Sequence, residues 1–385
     1  MKILYSHRTR SADGQYVHIR ELTEALRARN HEIIMAGPGE VNSTEKKSLD
    51  ATTGRGLSAF LPRPLYECAE YGYSFPAYRR LASAARDTPP DILYERYNLF
   101  FHAGVWLKKN RNLPMLLEVN APLAEERDRY GKLALKSFAR KSERAIWNSA
   151  QAVLPVTNVL ADKVRAAGVT DDRITVIQNG VSDVFLADHS DAPIRAKYAL
   201  TGKLVLGFTG FVRDWHGLDR VLHFMAEHER KDLHLLLVGD GPEREPLQKL
   251  ALELGLHSNF TITGVVQRDA IPGHVAAFDV ALQPAVVDYA SPLKLFEYMG
   301  LKKAIVAPAK ANIKEVLTSG RDAILFDETD GSFGAALSSL VDSVELRQKL
   351  GRAANDTVIK KDLTWEGNAR RVERIAENLL NARRG

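Results

Sequence analysis

The stretch DYASPLKLFEYMGLKKAIVAP, Asp288–Pro308, contains a helix start, a helix and the strand that follows it. Ser291 stands where a helix cap belongs, with the helix beginning at Pro292 and Lys294 in its first turn. The apolar run Ala304–Ala307 then reads as a buried strand. Working outward, the same helix–strand alternation fills nearly the whole chain. Strand-like runs in the first half are Lys2–Ser6, Glu32–Ala36, Ile92–Glu95, Met115–Val119, Ala152–Pro155 and Thr175–Ile177. Helical patterns such as Val17–Arg29 and Leu123–Asn148 lie between them. A second series begins at Leu204–Thr209 and continues through His234–Val238, Phe260–Ile262, Val280–Gln283, Ala304–Ala307 and Ala323–Phe326. Such alternation predicts two doubly wound parallel sheets in series, each covered on both faces.

Size agrees, since 385 residues suit two α/β domains of roughly 150–200 residues each. The expected division is 1–183 for the first domain and 184–363 for the second, with the polar stretch Asp183–Pro193 as linker. Ser332–Lys361 reads as one or two helices. Trp365–Ala382 has no strand after it, so the helix 364–385 is expected to pack back on the first domain. Cys68 is the single cysteine, which excludes a disulfide framework and cysteine-based zinc sites. The opening MKILYSH is read as a strand and not a leader, and no apolar run approaches the roughly 20 residues of a membrane span. A cytoplasmic protein is expected. The net charge of +5 points to an anionic partner.

In open parallel sheets ligands sit beyond the carboxyl ends of strands, where helix N-termini point. The first such loop, Ser6–Gln15, carries His7, Arg8, Arg10, Asp13 and Gly14. Neither G-x-G-x-x-G nor G-x-x-x-x-G-K-[ST] occurs, which argues against a dehydrogenase and a P-loop kinase. In TGFVRDWHG, Thr209–Gly217, Arg213 and His216 occupy a strand-to-helix loop suited to a diphosphate, next to Gly210. VGDGPERE, Val238–Glu245, places Gly239 and Gly241 in another strand-to-helix turn.

Lys294 is disfavoured in a first helical turn by the helix dipole unless it faces a bound anion. Glu297, nearly one turn further on, would point the same way, with its carboxylate accepting from ribose hydroxyls. The plainer alternative is an ion pair between the two within the helix.

Taken in order, the glycine loop at Gly14 with His18 on the next helix, VIQNGVSDVF (Val176–Phe185), TGFVRDWHG, VGDGP, SPLKLFEYMG, IVAP and the segment around Glu315 resemble the GT-B glycosyltransferases, and among them the retaining family 4. The resemblance implies two Rossmann-like domains facing across a cleft. It implies that Arg213 and Lys294 bind the donor pyrophosphate and that Glu297 holds the ribose. The backbone around Val265 would frame the base, and Gly14 would approach the phosphates. Gly210, His216, Gly239, Gly241, Ser291, Pro292 and Leu293 complete the donor set. The chain departs from the family in two places. Tyr289, beside Asp288, stands where a first glutamate is common, leaving amides from Ala290 to Leu293 to contact the donor sugar. Phe211 and His216 replace a common arginine and lysine, which leaves Arg213 as the main cation of its loop.

The implied reaction moves a sugar from a nucleotide diphosphate donor, UDP- or GDP-linked, to a glycan or lipid-linked acceptor with retention. No Asp-x-Asp is present, so fixed cations are expected in place of a metal. Asn120 lies where many relatives carry a histidine near the donor sugar, and Glu126 is a candidate on the acceptor side. Lys132, Lys136, Arg140 and Arg144 recur every four residues beside Leu133, Leu135 and Phe138. They form either a solvated helix face or a contact for acidic lipid. Aromatic and basic residues are not interleaved as nucleic-acid binding would require. Two rivals remain at this stage: a GT-B sugar-nucleotide epimerase and a silent nucleotide-sugar-binding subunit.

Overall fold

The computed structural model describes residues 1–9, 14–38, 61–228, 230–329 and 331–383. Arg10 and Asp13 of the first loop lie outside the described residues. The chain divides into two compact units, Met1–Gln178 with Trp365–Gly385, and Asn179–Thr364.

The first unit holds strands β1 (Lys2–Ser6), β2 (Glu32–Ala36), β3 (Ile92–Arg96), β4 (Met115–Val119) and β5 (Ala152–Pro155) in the order β2-β1-β3-β4-β5. All pairs are parallel. Every residue of β3, β4 and β5 is buried, the expected result when helices cover both faces. Thr175–Ile177 is not a regular strand. Its amides reach the carbonyls of Val153 and Pro155 on β5, both at 3.0 Å, but the ladder goes no further. The long helical pattern Leu123–Asn148 is two helices, Leu123–Arg129 and Lys136–Ser149. Gly131 breaks it at φ +61°, where the chain turns inward to bury Leu133. The helix Trp365–Asn381 packs on the helix Gly14–Ala28, with Trp365 edge-on to His18 at 4.8 Å.

The second unit holds β6 (Leu204–Thr209), β7 (Leu233–Val238), β8 (Phe260–Ile262), β9 (Val280–Leu282), β10 (Ala304–Pro308) and β11 (Ile324–Phe326), ordered β11-β10-β9-β6-β7-β8 and parallel throughout. The expected linker Asp183–Pro193 instead begins inside this unit. Val181 bridges to Thr364, and both Val181 and Phe185 are buried in the core with Phe296 and Tyr298. The pattern Ser332–Lys361 is two helices, Ser332–Val341 and Val344–Lys361. Ser343 caps the second by accepting from the Leu346 amide at 3.1 Å.

One buried charge in the first sheet gives a stability prediction. Glu95 on β3 is fully buried and accepts from the Ser6 hydroxyl at 3.0 Å and from the Gly104 amide. Gly104 is required there, because a Cβ would lie 2.2 Å from the carboxylate. Burial pushes the Glu95 carboxyl up to about 8. The folded state therefore holds this proton more tightly than the unfolded state does. Stability from this site is full below the ordinary glutamate range and is lost as the pH rises toward 8. Glu95→Gln is expected to leave unfolding at pH 4 nearly unchanged and to stabilise the protein at pH 9 by about 2–4 kcal/mol. Thermal unfolding at both pH values checks this, and parallel shifts in variant and wild type would refute it.

Candidate active site

In the second sheet the strand order reverses between β6 and β9, so the ligand crevice lies beyond their carboxyl ends. The loops after β6 and β7 run together past the strand ends. The amide of Gly210 donates to Val238 and that of Val212 to Asp240, both at 2.9 Å. A Cβ at Gly239, whose φ is +143°, would lie 2.1 Å from the Gly210 carbonyl oxygen, and one at Gly241 would lie 2.1 Å from that of Val212. These glycines thus allow two backbones to touch, bringing both loops to one place.

From the other side the helix Leu293–Gly300 points its N-terminus at the same end of the sheet. Its Tyr298 hydroxyl accepts from the amide of Thr209, the last residue of β6, at 2.9 Å. The helix starts one residue later than the sequence suggests, with Pro292 at the cap position. Ser291 does not cap it. Its hydroxyl accepts from the Asn179 amide at 3.1 Å, while the Asn179 side chain donates to the Ser291 carbonyl. Asn312 donates to the carbonyls of Val287 at 3.0 Å and Ala290 at 2.7 Å. Two buried amide side chains therefore fix the approach to the helix and leave its opening turn to face a ligand.

Lys294 lies in that opening turn, its amine 3.6 Å from the centre of the Phe208 ring. A Cβ at Gly210 would stand 3.3 Å from the same amine, and the φ of +126° there is one that side chains rarely adopt, so glycine suits the position. Burial pushes the Lys294 pKa down to about 7, with Glu297 opposing that shift. The alternative pair within the helix is not formed. Glu297 is buried and paired with Arg268, whose guanidinium lies 4.9 Å from the Phe185 ring centre. One carboxylate oxygen is thereby engaged.

His216 packs on Phe208 with ring centres 4.9 Å apart, and its Nδ1 accepts from the Arg213 amide at 3.0 Å. Burial, Lys294 and Arg213 together push its pKa down to about 3, so it is neutral and its Nε2 carries the proton. It cannot replace a lysine as a cation. Arg213 is exposed and stacks between Phe211 at 4.8 Å and Trp215 at 5.5 Å. Its charge reaches His216, but it is less confined than Lys294. Val265 is 82% exposed after Gly264. Asp288 pairs with Lys310 at 3.0 Å and Tyr289 is buried, so the carboxylate of Asp288 is already engaged.

The first unit brings His18 and Asn120 together on a residue that pattern reading passed over. Glu118, on β4, accepts from His18 at 2.9 Å, Tyr94 at 2.6 Å, Asn120 at 2.5 Å and also Arg96. Burial alone would raise its pKa; His18 and Arg96 outweigh that and hold it well below the usual carboxylate range. A charge at the end of each buried run, ILYER and MLLEV, was the available signal, because such charges are tolerated only when paired. His18 is thus buried, with its imidazole held by Glu118. Gly14, the first residue of its helix, is exposed. Glu126 sits in the first turn of Leu123–Arg129, beside Glu125, which pairs with Lys163 at 2.6 Å.

The basic stripe is shorter than its spacing suggests. Lys132 precedes the helix Lys136–Ser149, Lys136 and Arg140 converge on Asp128 at 2.5 and 2.9 Å, and Arg144 donates to the Ala167 carbonyl at 2.7 Å. Leu133 and Phe138 pack inward against Phe100 and Ala139. Among the described residues no helix is long and apolar enough to cross a membrane.

Two family models match the chain, one described as glycosyltransferase family 4 over residues 12–184 and one as glycosyl transferases group 1 over residues 203–343. The alpha-D-kanosaminyltransferase of Streptomyces kanamyceticus is 25% identical over 56% of this chain and 58% of its own length. The chain thus spans less than two thirds of that relative. A GDP-mannose-dependent alpha-mannosyltransferase of Corynebacterium glutamicum is 21% identical over 92% of this chain and 83% of that one. Among solved structures, Anabaena HepE in complex with UDP superposes with a TM-score of 0.75 at 14% identity, covering 98% of this chain and all of that one. The chain belongs to the group 1 glycosyltransferases and has the GT-B fold.

Proposed function

We propose that the protein transfers a sugar, with retention and without a divalent metal, from a UDP- or GDP-linked donor to a glycan or lipid-linked acceptor. The observation that carries this reading is Lys294, a desolvated amine in the opening turn of a helix aimed at the switch point of the second sheet. The HepE structure named for its complex with UDP and the mannosyltransferase named for GDP-mannose support a nucleotide-linked donor.

Chemically, the donor's anomeric bond breaks through an oxocarbenium-like transition state, and negative charge grows on the departing diphosphate. A fixed ammonium and helix amides placed at that charge lower the barrier without rearranging during the step. Arg213 adds a bidentate cation from its loop, and the neutral His216 offers its Nε2–H. Glu297, held by Arg268, accepts from the ribose. On the acceptor side the Asn120 side-chain amide is turned by Glu118 so that its oxygen faces away from that carboxylate and accepts a sugar hydroxyl. The leaving phosphate takes the acceptor proton, so attack and departure share one face.

Incubation with UDP- and GDP-sugars in excess chelator tests this. Nucleotide diphosphate release that rises with added saccharide is the expected result. Isomerised sugar nucleotide, or saturable binding without release, would overturn the reading, and loss of release in chelator would overturn the metal-free part. In the same assay Arg213→Ala is expected to lower turnover by roughly 10²-fold, and near-normal turnover would remove it from the mechanism.

A further inference from the structure

Arg8 follows β1 at its carboxyl end, beside the point where the first sheet reverses strand order between β1 and β3. Its guanidinium lies 4.7 Å from the Tyr73 ring centre and 5.6 Å from that of Phe101. Arg80 lies 5.3 Å from the same Tyr73 ring and donates to its hydroxyl. Arg127 is close by, held in a two-bond pair with Glu70 at 2.6 and 3.1 Å. Charges on Glu70 and Arg127 both act on Arg8, as do Tyr73 and Tyr66.

Among the described residues, Glu70 is the carboxylate that acts on Arg8, and both its oxygens are spent on Arg127. Arg8 is half-buried, and among the described residues no carboxylate pairs with it. Ring faces support a guanidinium from above but accept none of its five in-plane N–H donors. Burial is the largest influence on Arg8 and lowers its pKa, a cost that an anion in the plane of the fork would offset. Tyr66, 40% exposed, adds an aromatic surface at the same place. Some other cations of this unit have acidic partners: Lys136 and Arg140 share Asp128, and Lys163 has Glu125. Arg8, half-buried, has none among the described residues.

We infer that Arg8, flanked by Arg80 and Arg127, forms a subsite for the anionic group of a saccharide acceptor, a phosphate or carboxylate carried on a sugar ring that rests on the neighbouring tyrosines. The word acceptor rests on the transferase reading above; the anion subsite does not. An edge-on bidentate contact from Arg8 selects oxyanions over hydroxyls, so neutral sugars bind weakly here. The subsite belongs to the first unit and involves none of the residues assigned to the donor.

Ligand-observed NMR titrations with UDP in excess, so that the diphosphate site is filled, test the inference. The probes are glucose 6-phosphate, glucuronate, methyl glucoside and inorganic phosphate. At least one of the two anionic sugars is expected to bind 10-fold or more tightly than methyl glucoside, and the tighter of them identifies the preferred group. Arg8→Gln should abolish that preference while leaving UDP affinity unchanged, and Arg8→Lys should keep part of it. Thermal unfolding confirms that both variants fold; if the glutamine variant does not, a weakened preference in the lysine variant carries the same test. Equal binding of neutral and anionic sugars, an undiminished preference in Arg8→Gln, or inorganic phosphate binding as well as glucose 6-phosphate would overturn the inference. Failure of UDP itself to bind would count against the transferase reading and not against this subsite.

Discussion

Lys294→Met is expected to lower turnover by about 10³-fold, the cost of removing a fixed charge from a transition state that expels a diphosphate, and to make the unliganded protein more stable. The two effects share one cause. In the free protein the amine is packed against Phe208, and burial pushes its pKa down to about 7. An unfolded lysine holds its proton up to about 10.4. Between those values the unfolded chain is protonated and the folded one is not, so stability falls as the pH drops toward 7 and the cost is constant below that. Methionine keeps the stem and removes the cost, by roughly 2–4 kcal/mol. A charge kept at the expense of stability is a common feature of active sites. Steady-state kinetics and thermal unfolding of one preparation suffice. A variant that loses activity and stability together would mean that Lys294 supports the fold and is not held ready for an anion.

Glu118→Leu is expected to destabilise the first unit by about 3–5 kcal/mol, because it leaves Arg96 charged and unpaired inside the protein. Arg96 and Glu118 are adjacent in the β3–β4 register and both are buried. With its pKa held down, Glu118 contributes stability that is full at neutral pH and is lost as the pH falls below the ordinary carboxylate range. The double variant Arg96→Leu/Glu118→Leu should recover part of the loss, since the cost lies in the orphaned charge more than in the missing contact. Calorimetric unfolding of the three variants checks both statements. A single variant within 1 kcal/mol of wild type would show that water or a relaxed backbone satisfies Arg96.

Strands were legible in the sequence because each is a short apolar run, and those inside the two sheets are buried on both faces. Lys2–Ser6, Met115–Val119 and Leu204–Thr209 fall where the alternation places them. Thr175–Ile177 looks the same in composition but makes two amide bonds to β5 and an isolated bridge at Ile174, and a one-dimensional pattern does not reveal how far a ladder runs. The stripe at Lys132–Arg144 misled for a related reason. Spacing fixes which residues share a helix face only where the helix exists, and Gly131 stops it short of Lys132. At the donor site Lys294 and Glu297 could be chosen because a lysine at a helix start and a carboxylate in an apolar helix are each costly. Their partners could not. Arg268 is far in sequence from Glu297, and Asn179 and Asn312 act through carbonyls that every residue has.

The central claim is that an amine kept largely neutral by burial becomes the cation that receives a diphosphate, with no metal ion taking part. Calorimetric titration with UDP and GDP in excess chelator at pH 8, in buffers of different ionisation enthalpy, measures the protons taken up on binding. With a free-state value near 7, Lys294 is mostly neutral at that pH, so uptake approaching one proton is predicted. It should fall toward zero at pH 6 and vanish in Lys294→Met. Diphosphate binding with no proton uptake at pH 8, or binding that disappears in chelator, would contradict the account.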